Sequence, residues 1–195
     1  MIRKVVQYGH PVLRQKGSRV EAITPGIRML VEDLLETMDA AKGIGLAAQQ
    51  IGQALQVTVV DVRAAQDRPS TLEFKGQQAD VAEFMPLVLI NPEVKPVGKS
   101  AVGPEGCLSF PEIFADIERP DQVDVVAMNE KGQRLEFRCS GLLSRAIQHE
   151  VDHLNGILYI DRMDANTKRE LKPQLADLQA RTKETLKLEG AVIAG

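Results

Sequence analysis

Two of the chain's three histidines lie in one pentapeptide, His149-Glu150-Val151-Asp152-His153, and that spacing is the tightest constraint on what this chain can be. Around it Leu142, Leu143, Ala146, Ile147, Val151 and Leu154 keep helical spacing, and Gly156 supplies a stop. Residues i and i+4 of a helix share a face, so both imidazoles can reach one metal ion. Glu150 sits beside the first of them, where its carboxylate can reach a water on that ion. A hydrolytic metal site also needs a third protein ligand and an open position. Tyr159 stands where an extended zinc-protease pattern would place a third histidine. Glu170 has a tolerable downstream spacing but lies in the polar segment 164–170, and His10 precedes Pro11 at a turn. Cys107 is the better candidate, because the glycines of Gly103-Pro104-Glu105-Gly106-Cys107-Leu108-Ser109 let backbone approach a metal closely. Cys139 reads instead as a small buried apolar residue.

Two cysteines are too few for a disulfide framework, which points to a reducing, cytoplasmic compartment. A length of 195 residues suits one domain. The balance of 24 basic to 27 acidic side chains argues against direct nucleic-acid binding. Apolar runs such as Leu87 to Ile90 fall far short of the roughly 20 residues that a bilayer requires, so no membrane association is expected.

Thr24 as N-cap, Pro25, and Ile27, Leu30, Val31, Leu34, Leu35 and Met38 at helical spacing predict a first helix ending before Gly43. Residues 43–52 read as a small-residue loop, 57–62 as a strand, 63–84 as a polar loop or hairpin, and 87–90 as a strand. Residues 105–111 read as a further loop. Strands over 123–128 and 134–138 flank a turn at Asn129-Glu130-Lys131-Gly132. The tail from Asp164 is charged, with Leu171, Leu175 and Leu178 on one face, and Pro173 fits only near a first turn or at a kink. The expected class is α+β: a single domain of mostly antiparallel sheets packed around a central helix carrying the HExxH pentapeptide, plus a C-terminal helix. The domain spans 1–163, and 164–195 is a helical tail rather than a separate domain.

Three segments together resemble one family. Gly43-Ile44-Gly45-Leu46-Ala47-Ala48-Gln49-Gln50 resembles a GxGLAAxQ motif, Glu105-Gly106-Cys107-Leu108-Ser109 an EGCLS motif, and Gln148-His149-Glu150-Val151-Asp152-His153-Leu154 a QHExDHL motif. In that order and spacing they resemble the bacterial-type peptide deformylases, from about His10 to about Arg162. The resemblance implies a metallo-amidase that removes the formyl group from the N-terminal formyl-methionine of new polypeptides and releases formate. Cys107, His149 and His153 would bind one divalent ion, natively Fe²⁺, with Zn²⁺, Ni²⁺ or Co²⁺ able to replace it. Glu150 would activate the bound water, and Gln50 and the Leu108 N–H would stabilise the oxyanion. Ile44 and Gly45 would pair with the substrate backbone. Ile44, Leu142 and Ala146 would line its methionine pocket; Arg145 either lines it with its stem while the guanidinium reaches water, or marks a pocket wall that differs here, and Glu105 is paired with Arg119.

The implied partners are N-formylmethionyl nascent peptides and, through the tail, the ribosome near its exit tunnel. Phe114 stands where some relatives carry a basic residue near the substrate. The stretch 63–84 is longer than in compact members and reads as a surface insertion away from the metal.

Overall fold

The helix expected after Thr24 runs as α1, Pro25–Ala40, in the computed structural model, which describes residues 1–193. Thr24 Oγ1 accepts the Ile27 N–H at 3.3 Å, so the cap acts as its residue type suggests. α1 buries Leu30, Val31, Leu34 and Met38 against strands β1, Gly45–Ala47, and β2, Val57–Val60. The segment 43–52 is therefore not all loop. Gly45 stands opposite Val60 in an antiparallel pair, and Ala48–Ile51 follow as a 3-10 turn. A buried run of three residues is too short to show a strand period.

Of the two readings of the polar stretch 63–84, the structure has the hairpin. Its strands are β3, Ser70–Phe74, and β4, Gln77–Ala79, and β3 joins the main sheet. The short strand at Leu87 continues as β5, Leu87–Cys107, bending at a bulge where Asn91 has φ 51°. The Asn91 side chain exchanges two hydrogen bonds with the Val20 backbone, at 2.8 and 2.9 Å. The loop expected at 105–111 is a tight turn at Leu108-Ser109 between β5 and β6, Phe110–Met128. The turn at 129–132 leads as expected to β7, Arg134–Ser140, with Asn129 Oδ1 accepting the N–H groups of Lys131 and Gln133.

The seven strands among the described residues form one antiparallel sheet in the order β1-β2-β5-β6-β7-β3-β4. Helix α2, Gly141–Leu154, lies at its centre, and ten of its fourteen residues are buried. Leu142, Leu143, Ala146 and Ile147 pack into a cluster with Leu72, Val123, Val125 and Phe137. The start of α2 is capped from the excursion: Pro69 O accepts from Leu142 N at 3.2 Å, and Ser70 Oγ from Leu143 N at 2.9 Å. Gly141 adopts φ 66°, and a Cβ there would collide with Pro69 O. So 63–84 is not a remote surface feature; it fixes the end of the helix that carries the pentapeptide.

Helix α3, Ala165–Ile193, starts at Asp164, whose carboxylate accepts from the N–H groups of Asn166 and Thr167. It continues through Pro173, beyond its first turn. Leu175 and Leu178 are buried with Val12, Leu13, Phe110 and Ile113. Among the described residues no helix is long and apolar enough to cross a membrane.

Candidate metal centre

Strand β5 and helix α2 bring to one place three side chains that could hold a metal ion. Cys107 ends β5, and His149 and His153 stand one turn apart on α2 with ring centroids separated by 5.1 Å. Cys107 Sγ lies 3.3 Å from His153 Nε2, and one donor atom from each of the three residues falls within 4.8 Å of the others. Among the described residues, no other group of three His, Cys, Asp or Glu side chains converges in this way. The rival third ligands stay outside this group: His10 Nδ1 accepts the Val12 N–H at 3.2 Å, and Glu170 is exposed on α3. Tyr159 donates its hydroxyl to Ile113 O at 2.8 Å.

The orientation of His149 follows from its neighbour. Glu105 Oε2 lies 2.9 Å from His149 Nδ1, so an ionised Glu105 requires the proton on Nδ1 and leaves the Nε2 lone pair for a ligand. Glu105 is itself held by charge. Its Oε1 accepts from Arg119 Nε at 2.5 Å and Arg145 Nη1 at 2.9 Å, and its Oε2 accepts from Arg119 Nη2 at 2.9 Å. Burial alone would raise its pKa, but the hydrogen bonds from His149 and Arg119 outweigh that and bring it down to about 2. Arg119 also donates to Asp152 on α2 at 2.8 Å, and Arg162 closes on Asp152 through two bonds of 2.6 Å. The Glu105–Arg119 pair expected from the sequence is thus one link in a buried chain of charges. The extension to Asp152 and Arg162 had no sequence signal beyond alternating charge.

Burial lowers the pKa of His153 well below its ordinary value, which favours the neutral, ligating form. His149 moves the other way, because contacts with Cys107 and Glu105 overcome its burial. Burial pushes Glu150 up to about 7, with His149 and Arg119 acting against it. A carboxyl poised there can both take and return a proton near neutral pH. Glu150 Oε2 and His153 Nδ1 are buried without a hydrogen-bond partner. A Cβ on Gly45 would overlap Glu150 Oε1, so only glycine leaves that carboxylate its position.

Gln50 is oriented just as firmly. Its Oε1 accepts the Ala47 N–H at 2.9 Å, which turns Nε2 toward Ser109 Oγ at 3.3 Å and Cys107 Sγ at 3.5 Å. Ser109, which the motif reading quoted without a role, therefore contacts this amide.

A cavity of about 520 Å³ opens onto these groups. Gln50, Cys107, Leu108, His149 and Glu150 line its reactive end, while His153, 1% exposed, stands behind Cys107. Ile44, Gly45, Glu105, Leu142, Arg145 and Ala146, the residues that the family resemblance names for the substrate, also line it. Phe114, 69% exposed, stands at the mouth with its ring against Gly106. Arg68 lines the cavity too and donates to Pro104 O at 3.3 Å, so the excursion 63–84 reaches the site it was expected to avoid. One thiol and two imidazoles, one with a fixed tautomer, beside an unpartnered carboxylate oxygen fit a soft-to-borderline divalent ion.

The family model described as polypeptide deformylase matches residues 2–169. A peptide deformylase of Opitutus terrae is 42% identical over 98% of this chain and 100% of its own length. One from Methylacidiphilum infernorum is 42% identical over 92% of this chain and 94% of its own. Among solved structures, a plant peptide deformylase superposes with TM-score 0.80 at 33% identity, covering 94% of this chain and 92% of its own. That of Thermotoga maritima gives 0.72 at 34%, covering 84% and 99%.

Proposed function

Because the chain belongs to the polypeptide deformylase family, whose metal-dependent activity removes the N-formyl group from nascent peptides, we propose which of its residues carry that reaction. Cys107, His149 and His153 hold the ion, Fe²⁺ in the native enzyme, with Zn²⁺, Ni²⁺ or Co²⁺ able to take the same donors. When bound, the ion supplies a Lewis acid that acidifies water and polarises the formyl carbonyl. Glu150 accepts the proton of the attacking water as its oxygen bonds to the formyl carbon, and returns it to the amine nitrogen as the C–N bond breaks. Formate and a free α-amine are the products. Gln50 Nε2 and the Leu108 N–H donate to the carbonyl oxygen as it becomes negative. One such donor typically lowers a barrier by about 3 kcal/mol.

Ile44 and Gly45, on the approach to and start of β1, offer backbone groups to an extended peptide, as a sheet edge does. Leu142, Ala146 and the aliphatic stem of Arg145 enclose the methionine side chain. Glu105 acts through His149, whose tautomer it sets. The exposed Lys168, Arg169 and Lys172 of α3, interleaved with Glu170, are the groups through which the tail would meet the ribosome near its exit tunnel.

The observation that carries this reading is the convergence of Cys107 Sγ with the two imidazoles beside the unpartnered Glu150 Oε2. Cys107→Ser tests it. The expected protein folds, loses stoichiometric metal during dialysis and releases no formate. A variant that kept both metal and activity would return the third-ligand role to another residue, as in a zinc endopeptidase.

A further inference from the structure

We propose that Arg145 is a positioning residue for the metal centre: it straps the β5–β6 hairpin to α2 and so holds Cys107 and Leu108 in place against His149 and His153. The inference rests on the ligand reading above and deepens it, since the family resemblance left Arg145 either along the pocket with its guanidinium in water or at a pocket wall that differs here. The structure turns that group inward, leaving the side chain 11% exposed. Its Nη1 donates to Ile117 O at 2.8 Å and Glu105 Oε1 at 2.9 Å and lies 3.4 Å from Gly103 O. Nη2 donates to Ala101 O at 2.8 Å. Gly103 lies directly against the guanidinium, since a Cβ there would stand 3.2 Å from Nη2. One side chain thus engages both strands of the hairpin and the carboxylate that orients His149.

The sheet topology explains why the hairpin needs this. β2 pairs with β5 only as far as Ile90, and β7 meets β6 only from Gln122. Between those limits β5 and β6 form a two-stranded ribbon, with Gly103 opposite Ile117 and Glu105 opposite Ala115. A two-stranded ribbon is marginally stable by itself. Here it ends at Cys107 and Leu108, which supply a ligand and an oxyanion donor. Gln148 donates to Pro120 O at 2.8 Å and Arg119 reaches Asp152, so α2 holds the ribbon at its base by other bonds. Arg145 holds the stretch from Ala101 to Glu105, next to the tip, which Tyr8 N ties down by donating to Ser109 O at 2.9 Å. Arg145 lies four residues before His149, on the same face of α2.

The test compares Arg145→Met and Arg145→Lys with the unaltered protein in two measurements. The first is Zn²⁺ or Co²⁺ affinity by chelator competition, and the second is amide hydrogen exchange. Arg145→Met is expected to bind the ion about 10–100-fold more weakly, the range found for residues that orient ligands. Amides of 101–107 should exchange faster while those of β7 keep their rates. Arg145→Lys keeps a charge beside Glu105 but cannot span carbonyls on both strands, so it should recover only part of the affinity. It is also the variant to read should Arg145→Met fail to fold. Unchanged affinity and exchange in the folded variants would overturn the proposal and leave Arg145 with its pocket role alone. Exchange needs no ion, so failure of the strap is distinguishable from failure of the three-residue site.

Discussion

Glu150→Gln is expected to leave metal content and fold intact while lowering formate release by about 10²- to 10⁴-fold, the range for loss of a general acid–base group. Glutamine fills the same volume and can still donate or accept a hydrogen bond. What it cannot do is take a proton from the attacking water and return it to the departing amine. Glu150 is not one of the three converging donors, so the ion should stay. The loss should fall on kcat more than on KM, because the residue acts in the transition state. Full activity in this variant would mean another group moves the proton. Loss of the ion would mean that Glu150 is a ligand. A protein that merely bound peptide or metal would be indifferent to the change.

Arg119→Met should have the largest effect on stability. The Arg119 side chain is 3% exposed and ties Glu105 on β5 to Asp152 on α2. Its removal strands two buried carboxylates, a change that costs about 3–5 kcal/mol when no other partner is present. Arg145 and His149 still reach Glu105 and Arg162 still reaches Asp152, so the lower end applies. About 3 kcal/mol in a chain of this size corresponds to a fall in Tm of roughly 6–12 °C. The measurement belongs on metal-free protein, because a bound ion would add its own linkage to the melting curve. An unchanged Tm would show that the network closes without Arg119. Metal affinity should also fall, because Glu105 then orients His149 with less support.

The parts of this molecule that could be read from the sequence are those where one local rule dominates. α1 carries a cap, a proline at its start and an unbroken apolar face, and α2 has both its apolar face and the histidine spacing. The turn at 129–132 carries its asparagine and glycine. β1 escaped because three small buried residues show no alternation. β5 and β6 were read as short strands and loops because Pro96, Gly103, Pro104 and Gly106 look like punctuation. Proline is tolerated there because β5 has no second neighbour beyond Ile90. The excursion 63–84 looked remote because nothing in its polar composition says that Pro69 and Ser70 cap a helix more than seventy residues later in the chain.

The reactive group divides in the same way. His149, Glu150 and His153 follow from helical spacing alone, and Cys107 from its glycine-rich setting. Gln50, Leu108, Glu105 and the pocket residues came only through the family resemblance, because their roles depend on which strands meet. The target of Arg145 lies on a different element again. A cation one turn before a histidine gives no hint of whether it faces water, substrate or backbone. Only the exposed carbonyls of a two-stranded ribbon decide that.

Formate release from formyl-Met-Ala-Ser by anaerobically purified protein, with metal content determined on the same sample, tests the central claim most directly. The expected result is a rate proportional to bound ion across partially loaded preparations, abolished by a chelator and restored by adding metal back, with no internal cleavage of a longer peptide. Stoichiometric ion held by Cys107, His149 and His153 without any release of formate would contradict it.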